Sequence, residues 1–384
     1  MNSRLALLLL LSVPLSGCSL GPDTTTPPAA FDRVIETVER DFLFPDRFDA
    51  DWERARDGAR GQIDETTDDA TLVAILNRLV KRLGVSHTRV IGVDDPSSAD
   101  LRGIFSRDLD GFPRPTIGAE LERASVAWQV TAVLAGSPAA TAGLLVGDRV
   151  TTIDGGLAHP VRSLRGKSSI EVRAQRPGVG TVDLTIPVIE VGVGREHLNA
   201  LIASQRVETI DGVSIAFAHL SAGVHPAIEE EFRRFVTEDA ASADAFILDL
   251  RSGYGGAHPG YLAPFFEAGD APAAFDGPLV ALIDESTRSG KEWLAWEIAH
   301  RKRGTLVGST TAGAFVGGRF QEIVRERVWL YLAVVAGPEG IELEGIGQPA
   351  DRPVVRNPFV PADDLPMQRA IETAIAQVRE SSSP

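Results

Sequence analysis

The sequence predicts an α/β protein with a helical segment in front and a strand-rich insert in the middle. Three observations carry that prediction. Apolar residues at Phe31, Val34, Ile35, Val38 and Phe42, and again at Leu72, Ile75, Leu76, Leu79 and Leu83, recur at helical spacing. Short alternating runs broken by glycine and proline fill residues 116–191. From about residue 206, strand-like runs (Val213–Phe217, Phe246–Leu250, Leu279–Ile283, Thr305–Val307) alternate with helical stretches (Ala227–Thr237, Glu292–His300), the pattern of helices layered on a sheet.

The chain begins with an address. Arg4 precedes a short apolar run from Leu5 to Val13, and Leu15-Ser16-Gly17-Cys18 resembles the cleavage site of a bacterial lipoprotein signal. That resemblance implies a signal over residues 1–17, a lipidated Cys18, and a tether over residues 18–29 rich in threonine and proline. The expected location is the bacterial cell envelope, lipid-anchored on the periplasmic face of the outer membrane. Residues 30–100 then form a helical domain. Its third helix starts at Thr67 or Asp68 and ends at Gly84, and another lies around Trp52.

Composition narrows the chemistry. The 384 residues carry a net charge of −15 with no basic cluster, which argues against nucleic acid as a partner. Cys18 is the only cysteine, so neither an intramolecular disulfide nor a cysteine-based zinc site is available. No metal or cofactor is expected.

Between residues 112 and 192 the order of segments resembles a PDZ domain of bacterial proteases. The segments are Ile117-Gly118-Ala119-Glu120-Leu121, Trp128–Val133, Gly136-Ser137-Pro138-Ala139 and Gly147-Asp148-Arg149-Val150. In such a domain a peptide C-terminus adds to a sheet edge, and Ile117, Gly118 and Ala119 match the loop that receives its carboxylate. Protein or peptide substrates are therefore the expected partners.

Residues 200–380 hold the chemistry. The run Phe246–Leu250 leads into Arg251-Ser252-Gly253-Tyr254-Gly255-Gly256, and Leu279–Ile283 leads into a serine-rich loop and a helix starting near Trp293. A serine at a helix mouth meets backbone N–H groups and the positive dipole end, both suited to an oxyanion. Together these features resemble the carboxyl-terminal processing peptidases and their tricorn-core relatives. The resemblance implies a crotonase-like (ClpP-like) catalytic domain and serine peptidase activity.

Carried over residue by residue, the resemblance makes Ser289, three positions before Glu292, the nucleophile. The lysine used by many members is absent, because Gly308-Ser309-Thr310-Thr311-Ala312-Gly313-Ala314 has alanine at that position. The tricorn-like branch uses a serine-histidine pair and a distant glutamate instead. Here these match Ser86 and His87 in Gly84-Val85-Ser86-His87-Thr88, and Glu344 in Leu343-Glu344-Gly345-Ile346-Gly347. His87 is then the general base, Ser86 its orienting partner, and Glu344 the carboxylate behind Ser86. Gly290 with Gly253 and Gly255 would supply the oxyanion hole.

Several features pull the other way. Ser289 could be a plain helix cap, His258 is a rival base, and Lys291 lies two residues past the serine. Tyr254 stands where the family has glycine, Gly345 where it has asparagine, and Arg288 and Lys291 replace small residues. A catalytically silent peptide- or ligand-binding protein on the same fold is the alternative. A crotonase-type acyl-CoA enzyme fits poorly with a secretion signal and a PDZ domain.

Overall fold

The structure, a computed structural model, describes residues 25–106, 108–124, 127–267, 271–337, 341–356 and 364–382. Cys18 and the signal lie outside them. The chain divides into two compact units, one made of residues up to Ser106 plus Ala314–Gly345, the other of Arg107–Gly313 plus residues from Ile346 on.

The first unit packs the helices Pro27–Asp41, Ala50–Arg60 and Asp69–Val80 with a three-stranded antiparallel sheet. The sheet takes Arg89–Gly92 from the first stretch of chain and the hairpin Gly317–Val324 and Val328–Val335 from the second, with Arg89 opposite Tyr331. Phe31, Val34, Val38, Leu72, Leu76, Leu79 and Leu83, the periodic residues of the sequence, meet Val328, Leu330 and Leu332 in one core. Each such side chain contributes roughly 1.5–3 kcal/mol on burial. Asp68 caps the third helix by accepting from the Thr71 N–H at 2.8 Å, and Gly84 closes the following turn at φ 60°.

Among its described residues the second unit contains two six-stranded sheets and a two-stranded antiparallel pair, Arg114–Thr116 with Ile189–Val191. Its PDZ part is a six-stranded sheet whose path runs Ala119–Ala124, Ala127–Val133, Arg149–Ile153, Ser169–Arg176, Gly180–Pro187. The short helix Pro138–Ala142 closes it over Ile117, Val130, Leu144, Val150, Ile170 and Ile186. Its other part is a second six-stranded sheet in the order Arg206–Ile210, Val213–His219, Ala245–Asp249, Leu279–Ile283, Gly304–Gly308, Arg352–Pro353. The first pair is antiparallel and the rest parallel. Ala245–Asp249 and Leu279–Ile283 are buried at every position, as strands covered on both faces must be.

Local differences from the expected elements have local causes. The helix expected near Trp293 starts at Gly290, because the Glu292 carboxylate takes the Ser289 N–H at 3.1 Å and caps the turn. The stretch Ala227–Thr237 is an α-helix only over Pro226–Arg234 and ends in a π-turn, Phe235–Asp239. The helices Ser97–Ile104, Val193–Ser204 and Leu365–Ser381 and the hairpin Gly317–Val335 had no counterpart in the periodicity reading.

Candidate active site

In the second unit the site grows from the ends of two neighbouring parallel strands. Ala245–Asp249 leads into the glycine loop and Leu279–Ile283 into the serine loop, so adjacency in the sheet brings the loops together. Ser289 has φ 55° and ψ −130°, a conformation that costs a non-glycine residue ~1–3 kcal/mol and is held only when its surroundings impose it. Glu292 imposes it. This carboxylate is fully buried, and besides the Ser289 N–H it accepts from Thr311 Oγ1 at 2.6 Å and the Gly313 N–H at 2.7 Å.

Glycine is required where the backbones touch. A Cβ on Gly290 would lie 1.9 Å from the Ala257 carbonyl oxygen, and one on Gly255 would lie 2.5 Å from Ser289 Cβ. Ser289, Gly290 and Gly255 are thus brought together. Gly253, at φ 73°, lies instead against Ser221, whose carbonyl oxygen a Cβ would meet at 2.1 Å and whose oxygen accepts the Tyr254 N–H at 2.8 Å.

The glycine loop is anchored at its root by Arg251, which donates to Asp249 at 2.9 and 2.7 Å and to Asp364 at 2.8 and 3.0 Å. Burial alone would raise the Asp249 pKa, but the Arg251 charge and its hydrogen bonds outweigh it and hold the carboxyl well below the usual range. On its other side Ser286 Oγ accepts the Ser252 N–H at 2.6 Å, and the Thr287 hydroxyl donates to the Leu250 carbonyl at 3.1 Å. Tyr254 turns its ring edge-on to His197, centroids 5.9 Å apart.

In the first unit Ser86, His87 and Glu344 form one hydrogen-bonded group, although Glu344 lies 258 positions from Ser86. Glu344 accepts the Ser86 N–H at 2.7 Å and the Ser86 hydroxyl at 3.1 Å. It also accepts the N–H groups of Phe315 and Val316 at 2.8 and 3.1 Å. The Ser86 hydroxyl has one proton. Given to Glu344, it leaves the oxygen as acceptor for His87 Nδ1 at 2.8 Å, so Nδ1 carries the hydrogen and Nε2 the lone pair. That is the tautomer a general base needs. His87 is 5% exposed, sits at φ 57° and packs on Tyr331, centroids 5.1 Å apart.

Gly345 accounts for its own departure from asparagine. It sits at φ 75°, where glycine and asparagine are both tolerated.

The rival base His258 is a helix cap. Its Nδ1 accepts the Gly260 N–H at 3.1 Å, which leaves Nε2 as the donor to Glu229 at 3.1 Å. In the PDZ part Ile117 is buried and its carbonyl accepts the Ala139 N–H at 2.8 Å. Gly118, at φ 73°, donates its N–H to Thr116 Oγ1 at 2.9 Å, and Ala119 opens the first strand opposite Val133. Among the described residues no group of histidine, cysteine and carboxylate side chains could hold a metal ion, and no helix is long and apolar enough to cross a membrane.

A mixed α/β sheet carrying a strained serine at a helix mouth, with a PDZ fold beside it, defines a class, and comparison with known proteins agrees. Residues 258–336 match peptidase family S41 and residues 129–157 match the PDZ domain. A carboxyl-terminal-processing protease of Synechocystis sp. is 29% identical over 48% of this chain; the match spans only about half, 49%, of that relative. Two solved structures share the fold. A photosystem II D1 C-terminal processing protease has a TM-score of 0.57 at 19% identity, covering 86% of this chain and 93% of that one. The tricorn protease has a TM-score of 0.57 at 16% identity, covering 92% and 37%. Part of the chain thus matches the peptidase S41 family and part the PDZ domain, and the chain is similar to carboxyl-terminal-processing proteases.

Proposed function

We propose that the protein is a serine endopeptidase that cleaves envelope proteins or peptides through an acyl-enzyme. Ser289 Oγ attacks the scissile carbonyl carbon while His87 Nε2 takes its proton. The N–H groups of Gly290 and of Gly255, the loop glycine that lies against Ser289, receive the oxyanion, each donor contributing ~3 kcal/mol to the transition state. The imidazolium returns the proton to the departing amine. Water, deprotonated by His87, then releases the acyl group.

The observation that carries this reading is the Ser86–His87–Glu344 group, whose hydrogen bonds fix the imidazole in the base-competent tautomer. The forced geometry of Ser289 beside Gly255 and Gly290 supports the nucleophile. The PDZ part would collect substrate C-termini, and it must free the Gly118 N–H from Thr116 to grip a carboxylate through that group. Cys18 would carry the lipid that holds the enzyme in the cell envelope, on the periplasmic face of the outer membrane.

A fluorophosphonate probe should label Ser289, and casein or a denatured protein should be cut; both should vanish in Ser289→Ala. Labelling that survives the substitution removes Ser289 from the role. Absent cleavage together with tight peptide binding makes this a binding protein. Cys18→Ser should release the protein from the membrane fraction.

A further inference from the structure

The side chain of Lys291 is fully buried, two residues past Ser289 in the first turn of the helix Gly290–His300. Two physical terms oppose a cation there. Burial strips its hydration, and the N-terminal end of a helix repels positive charge. A cation kept against both has a partner that needs it.

Its partners are two backbone carbonyls. Lys291 Nζ donates to the Ser221 oxygen at 3.2 Å and to the Ser252 oxygen. Ser221 and Ser252 belong to the loops that follow neighbouring strands, Val213–His219 and Ala245–Asp249. The same two loops are tied by the Tyr254 N–H to the Ser221 oxygen at 2.8 Å and by the Gly223 N–H to the Gly255 oxygen at 3.0 Å. Within the segment so held Ser252 sits at φ 57°, a conformation that costs a non-glycine residue and is kept only where its surroundings impose it. Gly255 sits on Ser289. The carboxylates of Glu120, Asp284 and Asp249 supply the negative field that keeps the ammonium in place.

We propose that Lys291 is the positioning residue of the glycine loop: its ammonium clamps the carbonyls of Ser221 and Ser252 and so holds the loop that sets Gly255 beside Ser289. The lysine is not a spare base, because its donors are committed to carbonyl oxygens. Its effect on catalysis rests on the peptidase reading above, whereas the clamp itself does not.

The test uses the full chain with Lys291→Met, which keeps the apolar stem, and Lys291→Gln, which keeps an N–H donor without the charge; either variant suffices if the other fails to fold. Amide hydrogen exchange should quicken at least about tenfold over residues 221–224 and 253–257 while the PDZ strands stay protected. In the active protein kcat should fall about a hundredfold with KM within about twofold, and a peptide aldehyde whose adduct bears the oxyanion should weaken by the same factor as kcat. Unchanged exchange in a folded variant overturns the clamp. So does a loss of activity carried by KM with the aldehyde unaffected. If the native chain neither labels nor cleaves, the peptidase reading falls and hydrogen exchange alone decides the clamp.

Discussion

The two sets of candidate residues, one in each unit, are built by opposite means. In the first unit, function is assembled from side chains: Glu344 gathers four donors, and through Ser86 sets the tautomer of His87. In the second it is assembled from backbone: Ser252 and Ser289 hold positive φ, and Gly255 and Gly290 let main chains approach where no Cβ fits. The first set should be sensitive to charge and hydrogen-bonding chemistry and tolerant of small changes in volume. The second should show the reverse.

Substitutions can break or sharpen that contrast. The largest effect should come from His87→Ala, which removes the base and should lower kcat by about 10⁵-fold with little change in the thermal midpoint; steady-state hydrolysis reads it. Glu344→Gln keeps the shape and deletes the charge. A loss of roughly a thousandfold in kcat is expected, because the imidazolium loses its distant counter-charge, and a value near wild type would make the carboxylate a mere loop fastener. Gly290→Ala adds one methyl to the other set. It should destabilise the fold by about 1–3 kcal/mol in urea unfolding and abolish probe labelling, since the Ala257 carbonyl must move.

Smaller still is a pH effect. Burial pushes the Lys291 ammonium down to about 8 from its ordinary 10.5. Between those values the unfolded chain still holds the proton and the folded one has released it, so stability rises with pH across the window and is lost as pH falls toward 8. Urea unfolding should show wild type gaining on Lys291→Met by at most about 1.4 kcal/mol per pH unit; a difference independent of pH refutes it. Gly345→Asn should be nearly silent, within about 0.5 kcal/mol, as φ 75° suits both residues.

How much of this the sequence revealed follows from the kind of contact involved. Leu279–Ile283 was legible in full because a strand buried on both faces is apolar at each step. Ser289 was singled out through the family resemblance, by its place three residues before Glu292, one helical turn away. Ser86, His87 and Glu344 could be read only through a family resemblance, since no local pattern links residues 258 positions apart. Lys291 could be read only as a cation near Ser289, because its partners, Ser221 and Ser252, lie 70 and 39 positions away. The helix Val193–Ser204 was hidden by polar residues on its buried face, Glu196 and His197, which blur the apolar stripe. The hairpin Gly317–Val335 offered no sign that it completes the sheet begun at Arg89, because strand partners are chosen by the fold.

The first unit closes only when its second stretch of chain, Ala314–Gly345, has joined the first. On the ribosome, then, a growing polypeptide exposes its histidine hundreds of residues before the acid that orients it has been made. On the peptidase reading, synthesis order would act as a safety catch: a nascent or prematurely terminated product that stops before Glu344 lacks the carboxylate that orients Ser86 and His87.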